Sequence, residues 1–251
     1  TMAWAGEKAR VERALRRPVI ARVPYVAAKP VIDGEITTDW PGGAPLEIRL
    51  QRDLQNRIRE SWTAQLAFDE QHLYIAARGF GTTPMLNHAA DKEVLFQGGD
   101  AFDLHLGLDV KADPKRGEAA PGDVRLVMAL VNDRPIAMLY RPRVPGAKGG
   151  RMFTSPVGQE QVDELRDITA EIRVKILRQG GESAHQGAWT LEAAVPWKAL
   201  GGRELRDSVV FRGDVGALVA EPNGTATAVR YYWANKSHVV LSDLPSEARL
   251  L

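Results

Sequence analysis

Cysteine is absent from the 251-residue chain, which excludes disulfides, zinc–thiolate sites, iron–sulfur clusters and covalently attached haem. An excess of one charge is absent too. Lys and Arg number 33 against 32 Asp and Glu, and a net +1 gives no electrostatic reason to expect nucleic acid or an anionic membrane as partner. No apolar run approaches the roughly 20 residues of a membrane span. Signatures of catalysis are missing: there is no Gly-x-Ser-x-Gly, no phosphate-binding loop, no Gly-x-Gly-x-x-Gly after a strand and no His-Glu-x-x-His. No secretory leader is visible at Thr1-Met2-Ala3-Trp4, which leaves the compartment open.

Helical periodicity is scarce as well. Only Trp4, Val11 and Leu15 recur at spacings of seven and four, among Glu7, Lys8, Arg10, Glu12, Arg13 and Arg16. This predicts one amphipathic helix over 3–16, stopped by Arg17-Pro18. Residues 1–18 are thus expected to be helix and linker, and 19–251 one domain. A domain of that length buries roughly three quarters of its unfolded surface and needs neither metal nor disulfide to hold it.

What the chain has in plenty is a period of two. In 101–110, Phe102, Leu104, Leu106, Leu108 and Val110 share one face, and Asp103, His105 and Asp109 the other. Ile168, Ala170, Ile172, Val174 and Ile176 alternate with polar residues, as do Trp189, Leu191, Ala193 and Val195. Further strands are predicted at 19–26, 46–51, 63–68, 72–78, 124–131, 136–140, 209–220 and 225–233, with hairpin turns at Asp69-Glu70-Gln71, at Asn132-Asp133-Arg134-Pro135 and at Glu221-Pro222-Asn223-Gly224. A short helix is expected at 197–200, between Pro196 and Gly201-Gly202. Long loops are expected at about 79–99 and 111–122. Short alternating strands with regular turns predict an all-β fold, a two-sheet antiparallel sandwich.

Four segments carry a family resemblance. Lys29-Pro30-Val31-Ile32-Asp33-Gly34-Glu35 with Asp39-Trp40 resembles the opening of family 9 carbohydrate-binding-module-like domains, of the DOMON-like sandwiches. Ala67-Phe68-Asp69-Glu70-Gln71-His72-Leu73-Tyr74-Ile75-Ala76, Gly99-Asp100-Ala101-Phe102-Asp103-Leu104 and Leu191-Glu192-Ala193-Ala194-Val195-Pro196-Trp197 follow in the family's order. The resemblance covers about 29–233. It implies a non-catalytic module that binds carbohydrate, secreted or periplasmic, and appended to other domains of a larger bacterial polypeptide. Because some DOMON-like sandwiches hold haem b between Met and His or Lys, it also raises a redox alternative, for which Met85, His88, Met128, Met138 and Met152 are the available residues. A docking module without small ligand is the third reading.

Sugar recognition needs flat aromatic faces and planar polar groups. Trp233 and Tyr232, next to Asn235 and Lys236, are the preferred platform, although Tyr231 and Trp233 share parity with Val229 and would then face the core. Phe80 and Phe96, with Asn87 and Asp91, are the second set, placed in the first long loop. Trp40 and Trp197 read as core, while Trp62 and Trp189 are undecided. Asp100, Asp103 and Asp109 could offer oxygen ligands to calcium, but a solvated acidic face is the expected role, with His105 simply exposed. Asp100 and Asp103 as a catalytic carboxylate pair are disfavoured, since strand residues three apart point to opposite faces.

Overall fold

The computed structural model describes residues 19–81, 83–113, 116, 118–155, 158–180, 187–205, 209–234 and 248–250. The helix expected over 3–16 lies outside the described residues, as do Asn235 and Lys236.

Fifteen strands occur among the described residues: β1 (Val19–Ala21), β2 (Leu46–Arg52), β3 (Ile58–Phe68), β4 (His72–Gly81), β5 (Ala101–Gly107), β6 (Asp123–Val131), β7 (Arg134–Arg141), β8 (Arg151–Ser155), β9 (Gly158–Val162), β10 (Glu164–Asp167), β11 (Arg173–Gly180), β12 (Gly187–Pro196), β13 (Phe211–Ala220), β14 (Thr227–Tyr232) and β15 (Ala248–Leu250). They form a larger sheet in the order β1-β15-β13-β5-β6-β7-β10, with β14 also paired to β13, and a smaller sheet in the order β11-β12-β4-β3-β2. Pairing is antiparallel except for the short β1–β15 pair, and β8 and β9 make a separate hairpin.

Alternation accounts for the layers. Phe102, Leu104 and Leu106 of β5 join Leu126 and Met128 of β6 and Val215 and Ala217 of β13 on the inner face of the larger sheet. Leu66 of β3, Ile75 and Ala77 of β4, and Trp189 and Leu191 of β12 meet them from the smaller one. This interior settles the undecided tryptophans: Trp62 and Trp189 are core, as is Trp197. A single substitution such as Leu104→Ala would cost about 2–5 kcal/mol here. The β6–β7 hairpin turns on two residues, Asn132 and Asp133, at φ 49° and 59°, the left-handed pair that suits the strand twist.

Three expectations are corrected. The strand predicted over 168–177 begins only at Arg173, because the chain changes sheets there. Glu164–Asp167 pairs with β7 in the larger sheet, Thr169–Glu171 makes a 3₁₀ turn whose Thr169 N–H donates to the Asp167 carboxylate, and Arg173–Gly180 pairs with β12 in the smaller sheet. The loop predicted over 79–99 is shorter, since Gly79, Phe80 and Gly81 extend β4 and Lys92–Gln97 forms a 3₁₀ helix. Residues 197–200 form tight turns, with the Ala199 N–H donating to the Pro196 carbonyl, rather than a helix.

Candidate functional site

Each sheet has an outer face, and both carry buried polar side chains. On the smaller sheet that face is strapped. Val26, Ile32, Ile36 and Trp40 pack onto Ala67, Tyr74, Ala76 and Ala194. The strap is pinned by Glu192, whose Oε2 accepts from the N–H groups of Asp33 (3.0 Å) and Gly34 (2.8 Å), while the Thr190 hydroxyl donates to the Gly34 carbonyl (2.6 Å). Gly34 has φ +89°, and a Cβ there would stand 2.7 Å from Leu177 Cγ, so only glycine fits. Asp69 closes the β3–β4 turn: its Oδ1 accepts from Gln71 and His72 N–H, and its Oδ2 accepts from the Tyr74 hydroxyl (2.6 Å). The signature segments around Asp33, Asp69 and Glu192 are therefore a clamp.

On the larger sheet the outer face holds a polar seam. Strand register sets Asp214 of β13, His105 of β5, Arg125 of β6 and Tyr140 of β7 in one row. The next row runs Tyr232 of β14, Gly216, Asp103, Val127 and Met138. Asp103 is the hub. It accepts from Arg125 Nε (2.8 Å) and Nη2 (2.7 Å) and from the Tyr232 hydroxyl (2.6 Å), and His105 Nε2 lies 3.3 Å from its Oδ1. Gly216 admits Tyr232, since a Cβ there would sit 2.4 Å from that ring.

Aromatic rings line the seam. The Arg125 guanidinium carbon lies 4.8 Å from the Phe96 ring centre and 5.9 Å from that of Tyr140, and Arg230 lies over Phe96 at 5.6 Å. Phe153 meets the edge of Phe96 at 5.4 Å. Burial pushes the Asp103 carboxyl upward, but the charges of Arg125 and His105 outweigh it and hold the group well below the usual carboxylate range. Burial and the Asp103 charge push the Tyr232 hydroxyl well above its ordinary value, so it remains a donor.

Arg125 Nη1 lacks a hydrogen-bond partner, and His105 Nε2 has only the 3.3 Å contact with Asp103 Oδ1, outside hydrogen-bond geometry. Their residues are 2% and 4% exposed, and an unsatisfied polar atom at that depth costs about 1–3 kcal/mol. Beyond His105 the seam reaches a pocket of about 200 Å³ lined by Gly107, Asp109, Arg116, Val210 and Arg212. A Cβ on Gly107 would meet Arg116 Nη2 at 3.0 Å and Asp123 Oδ1 at 3.1 Å, so the glycine leaves room for that ion pair.

The expected site residues disperse. Tyr232 is buried, its hydroxyl committed to Asp103. Trp233 is half-buried against the inter-sheet core, continuing the inward row of Val229 and Tyr231. Phe96 is not a free loop ring but fully buried over Arg125. Phe80 belongs to β4 and is half-buried. Asn87 is buried, its side chain donating to the carbonyls of Leu95 (2.9 Å) and Asp100 (3.0 Å). Asp91 caps the 3₁₀ helix and pairs with Arg151.

The acidic face is not solvated: Asp100 and Asp103 are buried because loops and β14 close over them, and Asp109 alone of the three is exposed. Asp100 accepts from the Thr83 hydroxyl and from the N–H groups of Leu86 and Ala220, tying loop to strand. Among the described residues no three His, Asp or Glu side chains come together to hold a metal ion. His105 is buried rather than exposed. Met85 is buried in the inter-sheet core, and His88 and Met152 are exposed, so these haem candidates are not gathered.

Sequence reasoning missed Arg125, Tyr140 and Arg230. The signal for Arg125 was available, as it is the one charge inside an otherwise apolar strand from Val124 to Val131.

No protein-family model matches the chain, and no curated protein matches it. Its fold is similar to that of a family 9 carbohydrate-binding module from Caldicellulosiruptor kristjanssonii in complex with glucose, at a TM-score of 0.55 and 14% identity over 92% of this chain and 94% of that one. A cellotriose complex of such a module from the same organism matches at a TM-score of 0.52 and 14% identity, over 92% of both chains. A protein from Bacteroides uniformis ATCC 8492, described as a candidate carbohydrate-binding protein, matches at 0.52 and 10% identity over 93% of this chain and all of that one. The chain therefore has the β-sandwich fold of family 9 carbohydrate-binding modules. Among the described residues no helix is long and apolar enough to cross a membrane.

Proposed function

We propose that this domain binds a neutral saccharide along the outer face of the larger sheet, without catalysing a reaction. The observation that carries the proposal is Arg125 Nη1, a buried donor without a hydrogen-bond partner, beside His105, whose Nε2 meets only Asp103 Oδ1 at 3.3 Å, within a seam walled by Phe96, Tyr140 and Tyr232. Fixed planar polar groups beside rings match the alternation of hydroxyls and C–H faces on a sugar. The ligand enters from the pocket at Gly107 and Arg212, and a hydroxyl of it satisfies Arg125 Nη1, which the fold leaves without a hydrogen-bond partner.

Binding rather than turnover fits the carboxylates. Asp103 is locked to Arg125 and Tyr232, and Asp100 to three donors, so neither is poised as a spare acid or base. The likeness in fold to modules solved with glucose and cellotriose makes those sugars the first ligands to test. Placement as an appended module of a larger secreted bacterial protein follows from the four signature segments and is part of the same proposal.

Calorimetric titration with glucose and cellotriose tests it. Wild-type protein should bind one of them with a dissociation constant in the micromolar to millimolar range, and His105→Ala should weaken that binding on the order of tenfold, the equivalent of about 1.4 kcal/mol. Unchanged affinity in His105→Ala, with the fold intact by circular dichroism, would remove the seam from the account. No binding of either sugar would remove its specificity.

A further inference from the structure

Between β7 and β10, adjacent strands of the larger sheet, the chain leaves the sheet and returns to it. It departs after Arg141 and rejoins at Glu164, the pairing partner of Arg141, whose Nη1 donates to Glu164 Oε2 (2.9 Å). The excursion carries the β8–β9 hairpin over the outer face, where Phe153 and Val162 are buried against the cluster of Leu95, Phe96 and Tyr140. Among the described residues no backbone ladder joins this hairpin to either main sheet. The segment leading into it turns on Gly146 and Gly150, at φ 76° and 111°, and a Cβ on Gly150 would stand 2.2 Å from the Val162 carbonyl oxygen. Arg151 grips the 3₁₀ helix Lys92–Gln97 from the hairpin: its Nη1 donates to Asp91 Oδ2 and to Glu93 Oε2, both at 2.6 Å, and all three side chains are partly exposed. The helix has its own tie to the larger sheet, from Lys92 Nζ to Asp167 Oδ2 of β10 (2.7 Å).

We infer that the β8–β9 hairpin is a flap, latched by Arg151, that controls access to Arg125. Phe153 meets the edge of Phe96 at 5.4 Å, and Phe96 in turn covers the Arg125 guanidinium at 4.8 Å. With Phe96 in that place, Arg125 Nη1 is closed to solvent. A ligand that reaches this atom needs Phe96 to swing aside, and the ring gains room to do so when Phe153 withdraws. A hairpin held by two apolar side chains and a partly exposed ion-pair latch is the kind of element that opens without global unfolding. Control of saccharide entry rests on the seam being the saccharide site; opening of the flap does not.

The test is hydrogen exchange on the whole chain without sugar, read by NMR in wild type, Arg151→Gln and Arg151→Lys. Amides of β8 and β9 should exchange faster than those of β6 and β7 in wild type. Arg151→Gln should speed both those amides and the Arg125 Nε–H on the order of tenfold, while β6 and β7 keep their protection. Arg151→Lys, which retains the charge, should stay within about threefold of wild type. Equal protection of the hairpin and of β6 and β7 would overturn the proposal. So would a faster hairpin with an unchanged Arg125 Nε–H, or a loss of protection throughout Arg151→Gln, which would mark a structural brace. Cellotriose supplies a separate arm: its association and dissociation rates should both rise on the order of tenfold in Arg151→Gln, and binding at unchanged rates would count against the flap. If neither protein binds the sugar, the saccharide reading fails and exchange alone judges the flap.

Discussion

The two outer faces of the sandwich handle buried polarity in opposite ways. On the smaller sheet, Glu192 and Thr190 reach across to the strap and find partners there, leaving Trp40 Nε1 as the exception on that face. On the larger sheet, Asp103 is saturated but its neighbour Arg125 keeps Nη1 unpaired, and His105 Nε2 has only a 3.3 Å contact with Asp103 outside hydrogen-bond geometry. A face whose carboxylate and hydroxyl groups are all engaged has little left to offer a ligand. The difference thus separates a clamp from a recognition surface, even though both are equally buried.

The largest effect should come from breaking the seam at its hub. Asp103→Ala strands the buried Arg125 charge and should cost about 3–5 kcal/mol in chemical denaturation. On the strapped face, Glu192→Gln keeps the shape and loses one carboxylate oxygen shared by two N–H groups, for about 1–3 kcal/mol. Equal losses at the two positions would erase the contrast.

Gly216→Ala should come next. Its methyl group would push the Tyr232 ring off the sheet and cost about 1–3 kcal/mol. A thermal melt reads the loss, and the same variant should weaken saccharide binding at the seam.

The two faces should also respond to pH with opposite signs. Asp103 is held below its ordinary value, so its contribution is complete above the unfolded pKa of about 3.9 and is lost as pH falls towards the folded one. Glu192 is raised, chiefly by burial, so its contribution is complete below about 4.3 and is lost as pH rises through its folded value. Stability measured from about pH 3 to 7 should therefore lose its acid slope in Asp103→Asn and lose the opposing slope in Glu192→Gln. The smallest change belongs to neither face. Asp91→Ala breaks a half-exposed pair with Arg151, which keeps Glu93, and removes the cap on the Glu93 N–H, and should cost about 0.5–1 kcal/mol.

Alternation made the layers legible in the sequence because one methylene-rich face per strand is enough to assign a side. Phe102, Leu104 and Leu106 lie together under one sheet as the pattern predicts. Alternation did not reveal burial of the other face, because it reports which residues differ and not what covers them. Asp103 and His105 therefore read as solvated when they are almost fully enclosed. The same limit displaced the aromatics. Tyr232 is bound to Asp103, 129 residues away in the chain, and Phe96 lies over Arg125, which neither a strand period nor a turn signal encodes. Three of the four family signatures pointed to the clamp, since Gly34 and Glu192 are held together by main-chain geometry rather than by ligand chemistry, while the fourth carries Asp103, the hub of the seam.

The most direct test of the central claim follows the Arg125 side-chain N–H signals and the His105 ring signals in labelled protein during titration with cellotriose and glucose. The account predicts saturable shifts at both residues with one of the two sugars, and no change at Gly34 or Glu192. Shifts confined to the strapped face, or silence at Arg125 and His105 while a sugar binds elsewhere, would contradict it.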